Sequence, residues 1–243
     1  HLHSAVSAGE PLNREVVEQF RKHFNLTVRD GYGQTESTLL IGFLKDTEQR
    51  PGSMGKAIPG SRVAVVDDEG NKVDTNVKGN IALPLDFPGL FKGYFKDEKR
   101  TKDAHAGDYY ITGDLAHIDE DGYFWFEGRR DDIIISSGYT IGPFEVEDAL
   151  TNHEAVKECA VVASPHPIRG NIVKAFIILK EGYKPSDDLV KELQTFSKKV
   201  VAPYKYPRAI EFVEDLPKTN SGKIRRVELR EAERTKHNNA QNK

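Results

Sequence analysis

One cysteine, one methionine and one tryptophan are all that 243 residues hold of these types. With Cys159 alone, no disulfide can close within the chain and no zinc–cysteine cluster can assemble. Its surroundings, Glu158-Cys159-Ala160-Val161-Val162, read as a strand, so the thiol is expected as a small buried apolar group. A reducing cytoplasm is the expected location. No run of eighteen apolar residues exists, which leaves no candidate membrane-spanning helix, and no signal peptide is visible. Charge of one sign is scarce as well: 35 Lys and Arg against 38 Asp and Glu give −3. A general nucleic-acid or membrane-surface binder is therefore not expected. The opening residues, His1-Leu2-His3-Ser4-Ala5-Val6, lack a methionine and read as a strand already under way. A cut through a domain is the expectation there.

What is present suits a globular protein: 37% hydrophobic and 30% charged residues, in a length that allows one large domain or two smaller ones. Residues 11–24 read as an amphipathic helix, with Pro11 in the first turn and Val16, Val17, Phe20 and Phe24 on one face. A short strand over 26–29 leads to a polar turn over 30–36. From 52 to 128 short strands alternate with turns: 62–66, the hairpin signal 67–71, 80–83, the turn 119–122 and 123–126. That spacing suggests a small barrel or distorted sheet, with a helix over 97–105. After Gly128 come a strand (133–136), a helix (143–150), strands (160–163 and 174–179), a helix over 186–201 capped by Ser186, a strand (208–213) and a helix (227–234). This is a small α+β unit of roughly 110 residues. The polar tail from Lys236 is expected to fray.

Four constellations invite chemistry. Gly31-Tyr32-Gly33-Gln34-Thr35-Glu36 offers glycines for close ligand approach. Its hydroxyl and carboxylate suit a phosphate and a magnesium ion, and its tyrosine suits stacking on a base. It reads equally as a polar turn. Tyr110-Ile111-Thr112-Gly113-Asp114 ends an apolar strand on a carboxylate whose two oxygens can accept from both ribose hydroxyls, or it holds a turn aspartate. Gly128-Arg129-Arg130-Asp131-Asp132 sets two arginines against two aspartates at the expected domain boundary. That is either a solvated ion-pair cluster or a hinge presenting an arginine to a nucleotide. Pro217-Lys218-Thr219-Asn220-Ser221-Gly222-Lys223 is not a Walker loop, because Pro217 and Ile224 stand where glycine and Ser or Thr are required. It is an exposed basic turn, or a lysine placed to neutralise charge on a phosphate or acyl oxygen.

In this order and spacing the four motifs resemble the adenylate-forming superfamily of acyl-CoA synthetases, peptide-synthetase adenylation domains and luciferases. The resemblance runs along essentially the whole chain. The segments 123–129, 138–147, 164–170 and 202–208 look most like medium-chain and branched-chain acyl-CoA synthetases.

The resemblance implies an α/β and α+β fold. Residues 1–128 would form the end of the large AMP-binding domain, a helix–strand piece plus a barrel-like subdomain. Residues 129–131 would be a hinge, 132–236 an α+β lid, and 237–243 a disordered tail. It implies an AMP-forming ligase that joins a medium- or branched-chain carboxylic acid to coenzyme A through an acyl-adenylate, using ATP and Mg2+. Gly9, Glu10 and Pro11 match the segment beside adenine, and Asp30, Gly31, Tyr32, Gly33, Gln34 and Thr35 the adenine and α-phosphate segment. Glu36 matches the metal ligand, Asp114 and Arg129 the ribose contacts, and Asp131 the pivot. Lys223 matches the lysine of the adenylation step, so that Lys223, Thr35 and Glu36 form the implied catalytic set. Ser137, Gly138, Tyr139, Arg169, Lys198, Tyr206, Pro207 and Arg208 match positions that hold CoA. Thr140 stands where close relatives carry a nucleotide-contacting arginine, which should weaken phosphate binding or shift specificity.

In the family the loop that holds the β- and γ-phosphates, and most of the acyl-pocket walls, lie upstream of the matched region. The chain therefore admits three readings: part of an active synthetase, an inactive nucleotide- or CoA-binding module, or an adenylation domain of another adenylate-forming enzyme. A missing N-terminal half or a second copy is the expected protein partner. Residues 1–127 should expose apolar faces such as Leu39-Leu40-Ile41, while 132–243 should fold alone.

Overall fold

The computed structural model describes residues 2–10, 12, 14–220 and 222–241. The chain divides into two compact units, His1–Arg130 and Asp131–Lys243.

Unit 1 contains β1 (Ala5–Ala8), α1 (Arg14–Phe24), β2 (Val28–Gly33), β3 (Leu39–Gly42), β4 (Gly55–Ala57), β5 (Ala64–Val66), β6 (Gly79–Pro84), α2 (Glu98–Asp103), β7 (His105–Ala106), β8 (Tyr109–Ile118) and β9 (Tyr123–Arg129). Its strands form one sheet in the order β1-β2-β3-β4-β9-β8-β6-β5, with β7 also pairing β8. β1 and β2 run parallel; the other neighbours run antiparallel. The path has two ends, so the expected barrel is corrected to an open sheet. It is nevertheless curled. Four strand spacings separate β2 from β8, roughly 19 Å across a flat sheet, yet the Tyr32 hydroxyl lies 2.7 Å from the Asp114 carboxylate. The core inside the curl is built from Leu40, Ile41, Ile81, Leu83, Tyr110 and Phe124.

Leu40 and Ile41 are fully buried, and of the expected exposed run only Leu39 faces solvent. In α1 the apolar face is open instead: Val17 is buried, whereas Val16, Phe20 and Phe24 are exposed and Phe20 packs on Phe24. Pro11, expected in this helix, lies outside the described residues. The expected turn over 30–36 is half strand, because β2 continues to Gly33 through its pairing with β1 and β3. α2 starts where Asp97 accepts from the Arg100 N–H at 3.0 Å.

Unit 2 opens with a 3-10 turn, Arg130–Asp132, that bridges from unit 1. It then carries β10 (Ile134–Ser136), β11 (Tyr139–Ile141), α3 (Pro143–Thr151), β12 (Val156–His166), β13 (Gly170–Leu179), α4 (Asp187–Val200), β14 (Ala209–Phe212) and α5 (Arg226–Gln241). β10 and β11 form a hairpin. β12-β13-β14 is a separate sheet, antiparallel and then parallel. Ile134, Ile141, Val146, Leu150, Val161, Ile177 and Leu193 pack α3 and α4 onto that sheet. Cys159 is buried there as expected. Ser186 caps α4 through the Leu189 N–H, with Asp187 and Asp188 in the first turn and Lys198 and Lys199 in the last, as the helix dipole favours.

α5 runs on to Gln241, past the expected end at 234 and into the polar tail. The added turns are held because Lys236 pairs with Glu211 and Glu233, each at 3.2 Å. Farther back, Lys174 bridges Glu211 and Glu233 at 2.7 and 2.8 Å, and Ser164 donates to Glu233 at 2.8 Å. At the head of α5, Arg226 engages Glu147 of α3 with two hydrogen bonds, 3.0 and 2.7 Å. Glu147 is buried and also accepts the Val161 N–H at 2.8 Å. Removing one member of such a pair strands a desolvated charge. Arg226→Met is expected to cost about 3 kcal/mol, read by urea unfolding of the chain followed by circular dichroism. A loss below about 1 kcal/mol would mean that the pair behaves as a surface contact.

Candidate functional site

In unit 1 two motifs close on one carboxylate. β8 alternates along its length, so that Tyr110, Thr112, Asp114 and Ala116 face inward. Asp114 Oδ2 accepts the Tyr32 hydroxyl and the Gln34 side-chain amide, both at 2.7 Å. The same amide donates to the Thr112 carbonyl at 3.0 Å. Thr112 Oγ1 donates to the Ile81 carbonyl at 2.8 Å and accepts the Asp114 N–H at 3.2 Å. Burial, reinforced by the charge of Asp114, pushes the Tyr32 phenol well above its ordinary pKa, so it stays a donor. Gly33 is required where the chain leaves β2: a Cβ there would lie 2.3 Å from the Thr38 carbonyl oxygen. Arg129 sits opposite Asp114 in the β8–β9 register and is exposed.

Glu36 is half-buried, and its carboxylate accepts the Tyr94 hydroxyl at 3.0 Å. Thr35 beside it is exposed. Among the described residues no three His, Cys, Asp or Glu cluster as a metal cage. A lone hard-oxygen carboxylate fits a magnesium ion held largely by the oxygens of a bound phosphate. Gly9 adopts a left-handed conformation just after β1 and, with Glu10, is exposed. Asp30 accepts the Gly31 N–H at 2.8 Å and faces a small cavity with Val17, Val28, Phe43 and Ser53. Burial raises its carboxyl from 3.8 to about 6.

The two arginines and two aspartates expected to face one another at the boundary do not pair together. Arg130 reaches Asp68 of unit 1 at 2.9 and 3.0 Å. Asp132 is bound by Arg230 on α5. Asp131 between them is exposed.

In unit 2 the lysine motif is a compact turn ahead of α5. Lys218 and Ile224 bridge, the Thr219 N–H donates to the Lys223 carbonyl at 2.8 Å, and the Lys223 N–H donates to Thr219 Oγ1 at 3.0 Å. Lys223 is exposed, and Lys218 is tied to Glu158 at 2.8 Å. Ser221 of this motif lies outside the described residues.

The β10–β11 hairpin turns through Ser137 and Gly138, both at positive φ, 51° and 82°, as a tight hairpin loop requires. Arg169 fastens this turn by donating to Ser137 Oγ at 3.0 Å and accepting the Ser137 N–H on its carbonyl at 3.1 Å. Tyr139 stacks on Tyr204 with centroids 4.4 Å apart. The Lys198 ammonium lies 4.1 Å and the Arg208 guanidinium 4.9 Å from the Tyr206 ring centroid, and Arg208 also donates to the Tyr206 hydroxyl at 2.9 Å. Pro207 is buried and aims its neighbours, its carbonyl accepting from Gln194 at 3.1 Å. Thr140 is exposed opposite Ile135.

Residues 1–95 match the AMP-binding enzyme family, and residues 145–223 match the AMP-binding enzyme C-terminal domain. The chain belongs to the adenylate-forming, AMP-binding enzyme family. It is 65% identical over 232 residues to the uncharacterized acyl--CoA ligase YtcI of Bacillus subtilis (strain 168), covering 96% of this chain and 44% of that protein. It is 52% identical over 237 residues to the mitochondrial acyl-coenzyme A synthetase ACSM3 of Mus musculus, covering 96% of this chain and 41% of the relative. The fold matches the crystal structure of the anthranilate CoA ligase AuaEII in complex with anthranoyl-AMP, at TM-score 0.87 and 38% identity, over 93% of this chain and 44% of that chain. The chain thus spans less than half the length of these adenylate-forming relatives.

Tyr94 joins these clusters from outside every motif, and Thr112 and Tyr204 lie inside motif segments that gave them no role of their own. Thr112 was visible as the second inward position of β8. Tyr204 lay two residues before Tyr206. Tyr94 carried no signal, because its partner Glu36 is 58 residues away.

Asp30 offers a direct test. Its folded pKa of about 6 exceeds the unfolded 3.8, so the folded chain holds a proton that the unfolded chain releases between those values. Stability is lost as the pH rises through that window, and the ionised group destabilises above it. Asp30→Asn is therefore expected to stabilise the fold by about 3 kcal/mol at pH 8, seen as a higher melting temperature, and to leave the melting temperature unchanged at pH 3. Equal effects at both pH values would contradict the buried charge.

Proposed function

We propose that this chain is the C-terminal part of an AMP-forming acyl-CoA synthetase. A carboxylate oxygen of a medium- or branched-chain acid attacks the α-phosphorus of ATP, and the bond to pyrophosphate breaks. The CoA thiolate then attacks the acyl carbonyl of the adenylate, and AMP leaves. The observation that carries the reading is the closure of the Tyr-Gly-Gln and Thr-Gly-Asp motifs on Asp114: Tyr32 and Gln34 donate to it from 82 and 80 residues away. That fixes a desolvated carboxylate beside Arg129, a pairing suited to a ribose.

Two anionic reactants must be neutralised and aligned for the first step. Glu36 is the proposed ligand for Mg2+, which would shield phosphate charge, and Thr35 the proposed hydroxyl donor to the α-phosphate. The segments at Gly9–Glu10 and 30–34 are proposed to border the adenine. Lys223, carried on a turn braced by Thr219, is proposed to bridge the oxygens of the acid and the phosphate. Asp131 is the proposed pivot. For the second step Ser137, Gly138, Tyr139, Arg169, Lys198, Tyr206, Pro207 and Arg208 are proposed to receive CoA. The fastened hairpin would line its path, and the cations around Tyr206 would suit its phosphates. The 65% and 52% identities to proteins named as an acyl-CoA ligase and an acyl-coenzyme A synthetase support this class.

Lys223 separates the two half-reactions. In the complete enzyme, Lys223→Ala is expected to slow pyrophosphate release by about 10²–10³-fold, the scale of losing one donor to developing charge. Thioester formation from supplied acyl-adenylate should remain near normal. Unimpaired pyrophosphate release would remove Lys223 from the adenylation step.

A further inference from the structure

We infer that Tyr94 is a positioning residue for the Glu36 carboxylate, an inference that rests on the proposed role of Glu36 as the magnesium ligand. The Tyr94 hydroxyl donates to Glu36 Oε1 at 3.0 Å, and the Phe91 N–H donates to the Glu36 carbonyl at 2.8 Å. One short segment thus grips Glu36 by side chain and by backbone.

The segment is itself held from two directions. The Tyr94 N–H donates to Thr101 Oγ1 at 2.9 Å, and Thr101 donates to the Asp97 carbonyl at 3.0 Å, which ties the segment to the capped start of α2. Phe91 packs edge-on against both Tyr94 and Tyr110, with centroids 4.9 and 5.4 Å apart. The Tyr110 hydroxyl reaches Gln34 Oε1 at 3.4 Å. A continuous line of contacts therefore joins Glu36, Tyr94, Phe91, Tyr110, Gln34 and Asp114.

The Arg100 guanidinium lies 3.8 Å from the Tyr94 ring centroid. A cation on the ring face withdraws electron density from the phenol and strengthens its hydroxyl as a donor. The result is a carboxylate held at one oxygen by a rigid, polarised donor. A carboxylate so fixed loses little rotamer freedom when it takes up a cation with its other oxygen. Partners of this kind, one shell out from a metal, typically change metal affinity 10- to 100-fold when removed.

The test uses the complete enzyme loaded with ATP, with no carboxylic acid present, titrated with Mn2+ and read by electron paramagnetic resonance. AMP, which needs no metal, serves as a separate binding probe. Tyr94→Phe removes one oxygen atom and is expected to raise the half-saturating Mn2+ concentration about tenfold while AMP affinity stays unchanged. Arg100→Met is expected to raise it about two- to threefold, and it carries the test should Tyr94→Phe fail to fold. Glu36→Gln separates the two levels of the argument. If it leaves Mn2+ binding unmoved, the metal role of Glu36 fails and this inference with it. If Glu36→Gln weakens Mn2+ binding but Tyr94→Phe does not, the positioning role alone is overturned. An equal loss of AMP affinity in Tyr94→Phe would also overturn it, since the tyrosine would then support the whole pocket and not one carboxylate.

Discussion

A single desolvated oxygen, Asp114 Oδ2, receives two hydrogen bonds from residues some eighty positions away, and the architecture of unit 1 follows from that demand. An acceptor of this charge cannot be left buried without donors. The donors sit on and just beyond β2, four strand spacings from β8, so the sheet has to curl. The curl in turn encloses Leu40, Ile81, Tyr110 and Phe124 and gives the unit its core. Polar cluster and apolar core consequently share the inward face of one strand. Along β8, Tyr110 and Ala116 serve packing while Thr112 and Asp114 serve the hydrogen-bond cluster with Tyr32 and Gln34. Tyr32 remains a reliable donor because the environment that traps the carboxylate also keeps the phenol protonated.

Unit 2 solves a different problem, that of holding an exposed ammonium in place. Lys223 stands on a short turn, and a turn alone would wander. Directly after it, Arg226 locks to the buried Glu147 with two hydrogen bonds, and Arg230 binds Asp132 one helical turn later. Glu233 and Lys236 continue the attachment onto β13 and β14 through Lys174 and Glu211. These charges lie along one face of α5 at i, i+4, i+7 and i+10, the spacing of a helical stripe. Paired charges do here what apolar side chains do in most amphipathic helices. Such pairs add little net stability over an apolar contact, but they fix register, and register is what a presented lysine needs.

Much of this was legible from residue type and spacing, and the failures have physical causes. The unit-2 helices and strands were readable because their caps and apolar periods are local: Ser186 before Leu189, Pro143 at the head of α3. The strand over Tyr32 was misread as a turn because two glycines signal flexibility in sequence, whereas here they allow close strand packing. The barrel-like pattern was half right, since strand spacing records curvature and is blind to closure. The length of α5 was hidden by a polar composition whose partners, Glu211 and Lys174, belong to distant strands. The site motifs were visible as groups, but which atom met which was not. Nothing in Arg129-Arg130-Asp131-Asp132 says that Arg130 turns to Asp68 and Asp132 to Arg230 and that neither turns to the other.

That last arrangement bears on what the proposed pivot at Asp131 would rest on. Arg130 is bound into unit 1 and Asp132 into unit 2, so the residues flanking Asp131 each belong to a different body. The two attachments are unequal: Arg130 and Asp68 are more than half exposed, at 53% and 62%, while Asp132 and Arg230 are 12% and 15% exposed. Exposed pairs are weak and screened by salt, whereas buried ones resist separation. A pivot at Asp131 would therefore have a firm seat on the α5 side and a yielding one on the sheet side. The firm seat is thus on α5, the helix that follows directly on the Lys223 turn and that Arg226 also fastens.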